Sequence, residues 1–194
     1  MRLPPLLVLT DRSQCAGPLR DVVAAAVGHG ARAVLLREKD LPDDDRYRLA
    51  EQLLTLLEPV GGTLVAASRR VPGVDAVQLA AGDPSPRPRP PLVGRSCHSR
   101  EEVTRAGVEG CDYVTVSPVF PTPSKPGYGP ALGAEGLASI VYVGPPAYAL
   151  GGVQPGDVAA CVAAGARGVA VMGPVMRNPR NVAAYLEALG EAPT

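Results

Sequence analysis

The chain has 194 residues, 46% hydrophobic and 20% charged, and its 19 basic side chains match its 19 acidic ones. That length is enough for one domain with a buried core, spanning residues 1–194. The balanced charge excludes a global field for nucleic acid or an acidic membrane, so an anionic ligand must be held by local cations and backbone amides.

Four cysteines (Cys15, Cys97, Cys111 and Cys161) lie far apart with no CxxC pair. This argues against a disulfide framework or a zinc site and fits reduced thiols in the cytosol. The opening MRLPPLLVLTDR is apolar over too short a stretch for a signal peptide, and two prolines break it. No apolar run approaches the roughly 18 residues of a membrane span. The expectation is a cytoplasmic protein.

In chain order, short apolar runs alternate with helical patterns. Leu6-Leu7-Val8-Leu9 precedes a helix over about 18–27. Ala33-Val34-Leu35-Leu36 precedes one over 43–57, with leucines and Tyr47 at helical spacing. Thr63-Leu64-Val65-Ala66 and Ala76-Val77-Gln78-Leu79 follow, joined by a short segment. The proline-rich stretch 83–91 reads as a stiff surface connector in place of a helix. Leu92-Val93-Gly94-Arg95 leads into a helix over 100–106, and Tyr113-Val114-Thr115-Val116 into a long loop. Ala147-Tyr148-Ala149-Leu150 leads into a helix over 158–164, and Gly168-Val169-Ala170-Val171 into a last helix over 174–189. Eight continuous apolar strands with helical crossovers and no hairpin signal imply a parallel sheet covered by helices. A trimmed (βα)8 TIM barrel is the reading, with an open doubly wound sheet as the runner-up.

Barrel ligands sit at the C-terminal ends of the strands. After the second strand, alternation places Leu35, Arg37 and Lys39 on one face, with Glu38 and Asp40 able to neutralise the two cations. After the sixth, Thr122, Ser124 and Lys125 lie in a Gly/Pro-rich loop that could order around a phosphate. After the seventh come Gly151 and Gly152, and after the eighth Met172 and Gly173, followed by Pro174. Loops in those last two places form the recurring phosphate site of such barrels, where glycines let N–H groups approach the anion.

The chain has two histidines. His29 precedes Gly30 at a helix end and reads as structural. His98 precedes a capping box, Ser99-x-x-Glu102, so it lies on the ligand-binding rim, where it could exchange a proton.

The order LLREK, GRSCHSREE, DYVTVSPVFPTPSKPG, ALGGV and GVAVMGPV resembles the thiamine phosphate synthase and TenI superfamily over nearly the whole chain. The resemblance implies a (βα)8 barrel acting on thiazole phosphates. Its synthase branch joins a hydroxymethylpyrimidine diphosphate to the thiazole phosphate, with Mg²⁺ on the diphosphate. The synthase pattern has Gln-x-Arg-x-Lys after strand two, Asn-Asp after strand three and Asp after strand four. Here these fall on Leu35, Arg37 and Lys39, on Ser68-Arg69, and on Asp83. Arginine in place of a metal carboxylate speaks against a synthase.

The TenI-like branch is a thiazole tautomerase, which it resembles around Gly94-Arg95-Ser96-x-His98-Ser99. The sequence reading is therefore an isomerase that aromatises a carboxythiazole phosphate. His98 would be the acid/base, Ser96, Arg37, Lys39, Thr122, Ser124 and Lys125 would face the substrate, and no metal or other cofactor would be needed. A synthase, with Asp83 as metal ligand, is the alternative, and a non-catalytic phosphate-binding barrel is another. The expected partner is a small phosphorylated thiazole rather than nucleic acid or membrane. A homo-oligomer is left open.

Overall fold

In the computed structural model, which describes residues 3–122 and 130–191, eight parallel strands pair in chain order and close into a barrel. They are β1 (Leu6–Leu9), β2 (Ala33–Leu36), β3 (Thr63–Ala67), β4 (Ala76–Leu79), β5 (Leu92–Cys97), β6 (Tyr113–Val116), β7 (Ala147–Leu150) and β8 (Gly168–Val171). The seam closes where β1 pairs with β8, Val8 standing opposite Val171. Among the described residues, seven α-helices surround the sheet: α1 (Leu19–Gly28), α2 (Asp43–Leu57), α3 (Arg100–Val108), α4 (Gly133–Val141), α5 (Val158–Ala163), α6 (Gly173–Arg177) and α7 (Asn181–Ala188).

Alternation along each strand divides the core in two. Residues such as Val8, Val34 and Val114 face outward against the helices. Leu7, Val65, Leu92, Tyr113 and Tyr148 fill the barrel interior. The Tyr113 and Tyr148 rings meet edge to face with centroids 5.6 Å apart. The Tyr148 hydroxyl donates toward the carbonyls of Leu3 and Pro4, at 3.1 and 3.0 Å, which ties the N-terminal segment across the barrel bottom. A Cβ on Gly94 would collide with the Tyr113 ring, so a glycine on β5 is what lets that ring cross the interior.

Two elements differ from the sequence reading. The stretch after β6 contains helix α4, where a loop was expected. Gly133 and Gly136 weaken its helical signal, but Leu137, Ile140 and Val141 are buried. Burying such side chains contributes roughly 1.5–3 kcal/mol each, enough to override propensity. The single last helix expected over 174–189 is instead α6 and α7. Pro179 has no N–H to donate, and the chain breaks over 178–180. The absence of a helix after β3 and β4 agrees with the reading. Among the described residues, no helix is long and apolar enough to cross a membrane.

Candidate active site

At the C-terminal ends of the strands lies a cavity of about 790 Å³, within the size range of small-molecule sites. One inward residue from each strand makes its floor. Leu9, Leu35, Ala67, Leu150 and Ala170 are apolar. Gln78, Ser96 and Thr115 come from three adjacent strands and are polar. The Gln78 Nε2 donates to Ser96 Oγ at 3.2 Å and to Thr115 Oγ1 at 3.1 Å. Its Oε1 is buried without a partner, and so is the hydroxyl of Tyr113 beneath it. The sequence reading singled out Ser96 alone of these three. A Gln and a Thr interrupting apolar strands at inward positions were the available signal.

Arg37 and Lys39 both reach the cavity wall, as alternation from Leu35 predicted. Arg12 takes the carboxylates of Glu38 and Asp40, with Nη1 2.8 Å from the first and Nη2 2.5 Å from the second. These bonds lower the Asp40 carboxyl to about 2, the Arg12 hydrogen bond being the main cause. The Arg37 backbone N–H donates to the Thr10 hydroxyl at 2.9 Å, and its guanidinium lies 3.9 Å from Asp11. Asp11 also accepts from Ser13 Oγ at 2.6 Å and Gln14 Nε2 at 2.8 Å. Burial raises its pKa, but those bonds and the charge of Arg37 outweigh burial and hold the group below the ordinary value. Among the described lining residues, three cations (Arg37, Lys39 and Arg177) face one carboxylate, Asp11.

The wall at β7 and β8 carries Gly151, Gly152, Met172 and Gly173. Gly151 and Gly152 have φ of +91° and +70°, a region that side chains rarely adopt. A Cβ on Gly152 would stand 2.6 Å from the Phe120 carbonyl oxygen and collide with that of Pro121. The glycine is therefore demanded by the neighbouring loop as well as by access to the cavity. Thr122 lies on the same wall. Ser124 and Lys125 lie outside the described residues.

His98 lines the cavity just after β5. Half of the expected capping box forms, with the Ser99 hydroxyl accepting from the Glu102 N–H at 3.3 Å. The Glu102 carboxylate reaches one residue further back than expected and accepts from the His98 N–H at 2.6 Å. The neighbouring Cys97 is fully buried, and burial pushes its thiol up to about 12, which disfavours the thiolate a Cys–His nucleophile needs. His29 caps the far end of α1 with its backbone N–H, as the structural reading expected.

The positions corresponding to the metal carboxylates do not assemble a metal site. Ser68 has φ +58°, an αL conformation that favours Asn, the residue the synthase pattern has there. Arg69 bonds Asp43 at 2.8 Å and the Lys39 carbonyl at 3.1 Å, which ties down the loop carrying the mouth cations. The Asp83 carboxylate accepts from the Ala80 N–H at 2.8 Å, closing its own turn. Among the described residues no three metal-ligating side chains cluster. Magnesium prefers hard oxygen ligands in octahedral array, and one self-engaged carboxylate beside an arginine does not fit it.

Beneath this loop, the buried Arg46 of α2 was missed at the sequence level. Its guanidinium donates to the Ala67 carbonyl at 2.7 Å and the Arg69 carbonyl at 3.2 Å, and reaches that of Leu36 at 3.4 Å. It binds the ends of β2 and β3 together, directly under the residues that line the mouth.

A closed parallel barrel with a cationic, glycine-walled cup at its C-terminal end defines a (βα)8 barrel of the kind that carries its site on the βα loops. The chain belongs to the thiamine monophosphate synthase (TMP-TENI) family, whose model matches residues 6–175. It is 37% identical over 186 residues to a putative thiamine-phosphate synthase of Geobacter sulfurreducens, covering 90% of this chain and 87% of that one. It is 36% identical over 185 residues to a thiamine-phosphate synthase of Roseiflexus sp., covering 89% and 78%. Among solved structures, a thiamine phosphate pyrophosphorylase from Pyrococcus furiosus superposes with a TM-score of 0.83 at 28% identity, covering 95% of each chain. These likenesses overturn the tautomerase, isomerase reading. That reading rested on the Ser68-Arg69 departure and a few residues around His98, and the whole-chain likeness runs to proteins named as synthases.

Proposed function

We propose that this chain is a thiamine-phosphate synthase, joining a hydroxymethylpyrimidine diphosphate to a thiazole phosphate. The observation that carries this is the nearly full-length identity to relatives of that name. The cup's excess of cations agrees with two phosphorylated substrates. Transfer breaks the methylene C–O bond of the pyrimidine substrate, releases diphosphate, and forms a C–N bond to the thiazole nitrogen. That nitrogen brings its own lone pair, so no proton has to be removed. The developing charge is on the leaving diphosphate, and fixed cations aimed at developing charge are among the largest contributions to catalysis. Arg37 and Lys39 are assigned to it, with Thr122, Ser124 and Lys125 as further ligands. The thiazole phosphate is assigned to the backbone of Gly151, Gly152, Met172 and Gly173. Ser96, with Gln78 and Thr115, contacts the heterocycles from below, and His98 is a polar wall residue. The chain holds no metal through its own carboxylates.

The test is incubation of the purified chain with both substrates and chromatographic detection of thiamine phosphate and inorganic diphosphate. Both products in equal amounts are expected, and Arg37→Gln should lower kcat by roughly 10²-fold or more. Folded wild-type protein that forms neither product overturns the proposal.

A further inference from the structure

The last turn before α7 carries a cation that the sequence reading passed over. Arg177 is the final residue of α6, and its side chain turns back over the start of that helix. Its Nη1 and Nη2 lie 2.7 and 3.0 Å from where a Cβ on Gly173 would stand. The Gln14 Oε1 lies 2.6 Å from the same point. Gly173 therefore leaves the space in which Arg177 and Gln14 meet, and Nη1 donates to Gln14 Oε1 at 2.6 Å. Both ends of the Gln14 amide are used, since Nε2 donates to Asp11 at 2.8 Å. The amide thus has a fixed orientation, and Arg177 is held over the glycine wall by a neutral partner. No carboxylate lies within ion-pair distance of Arg177 among the described residues, and the side chain lines the cavity.

We propose that Arg177 is the guanidinium ligand of the thiazole phosphate, and that Gln14 is the positioning residue that aims it. The proposal rests on the synthase reading for the identity of the phosphorylated ring, but the anion chemistry stands independently. A guanidinium offers parallel N–H donors that match a phosphate, and charge-assisted bonds of this kind are about twice as strong as neutral ones. Held by an amide instead of a carboxylate, Arg177 brings its full positive charge to the cradle. Arg37, on the other side of Asp11, is left for the second anion. The cup then sorts its two substrates by which arginine each one meets.

The experiment measures both KM values in wild type, Arg177→Gln, Arg177→Lys and Gln14→Leu, each checked for folding by thermal melting. Arg177→Gln should raise KM for the thiazole phosphate about 10-fold to 100-fold, with KM for the pyrimidine diphosphate within about 3-fold. Arg177→Lys should recover part of the loss. Gln14→Leu should raise the same KM by a few-fold and add nothing in the Arg177→Gln background, because its effect runs through Arg177. An unchanged thiazole phosphate KM, or an equal rise in both KM values, overturns the proposal. If wild type makes no thiamine phosphate, the synthase reading fails alone, and direct calorimetric titration with the thiazole phosphate and with inorganic phosphate decides this one. Weaker binding of the thiazole phosphate to Arg177→Gln supports it, and equal binding to both proteins sinks it.

Discussion

The imidazole Nδ1 of His98 lies 2.7 Å from the carbonyl oxygen of Ser117. A carbonyl only accepts, so Nδ1 carries a proton, and in the neutral ring the lone pair sits on Nε2. The ring is held by β5 on one side and by the turn after β6 on the other. Because synthesis of the C–N bond removes no proton, His98→Asn is expected to lower kcat by less than about 10-fold. General base catalysis contributes roughly 10²–10⁴-fold, so steady-state kinetics giving a loss in that range would return His98 to a proton-transfer role.

Gly152→Ala places a Cβ against the carbonyls of Phe120 and Pro121 at a backbone φ of +70°. Strain of this kind costs of order 1–3 kcal/mol. The expected outcome is a lower melting temperature together with a raised KM for the thiazole phosphate. A variant with wild-type melting and KM would mean that this wall neither packs against the β6 loop nor meets the ligand.

Removing Arg46 tests the support beneath the mouth. Arg46→Met keeps most of the aliphatic bulk but leaves the carbonyls of Leu36, Ala67 and Arg69 without this donor. The Ala67 carbonyl keeps the Arg69 N–H at 2.7 Å, so not every carbonyl is left unmet. At roughly 1–3 kcal/mol per unsatisfied buried group, denaturant unfolding should show a loss of about 1–3 kcal/mol. A loss below about 1 kcal/mol would show that those carbonyls find water or other partners.

Magnesium titrated into the substrate-free chain should give no saturable binding in the micromolar range. Arg69 is committed to Asp43 and to the Lys39 carbonyl, and Asp83 to its own turn. A saturable micromolar site in calorimetry would show that the carboxylates rearrange to hold the ion.

Acid should loosen the rim through Asp40. Its carboxyl is lowered to about 2 by the hydrogen bond from Arg12. A depressed folded-state pKa gives a contribution that is present above the unfolded value, near ~3.9, and is lost as pH falls through the folded one. Wild type should therefore lose more stability than Asp40→Asn between about pH 4 and pH 2. Parallel urea midpoints for the two proteins across that window would remove Asp40 from the account.

The barrel was legible because each strand is a continuous apolar run, and the two mouth cations because alternation from Leu35 carries to Arg37 and Lys39. Helix α4 was not legible, since its two glycines dilute a pattern that only tertiary burial of Leu137, Ile140 and Val141 restores. Nor was the contact between Arg177 and Gln14, whose positions are 163 apart and meet only where β8 closes on β1. The activity was misread for a different physical reason. The arginine at position 69 does break the carboxylate pair, but its guanidinium serves the loop beside it. A local loss of ligands was read as a change of reaction.

The polar third of the cup floor gives the barrel a compass. Eight strands arranged with near-rotational regularity would let a flat ring settle in any of several azimuths. Gln78, Ser96 and Thr115 occupy one sector, and carbon faces the rest. The Gln78 oxygen still lacks a partner. A heterocycle that turns an N–H donor toward that sector satisfies it, and the same ring turned half around buries that donor against leucine and alanine. Each such unmet group costs roughly 1–3 kcal/mol, so two mismatches separate the headings by ~2–6 kcal/mol. A reactive methylene or ring nitrogen fixed relative to that donor then points one way across the cup, and the direction of bond formation is set before the partner arrives.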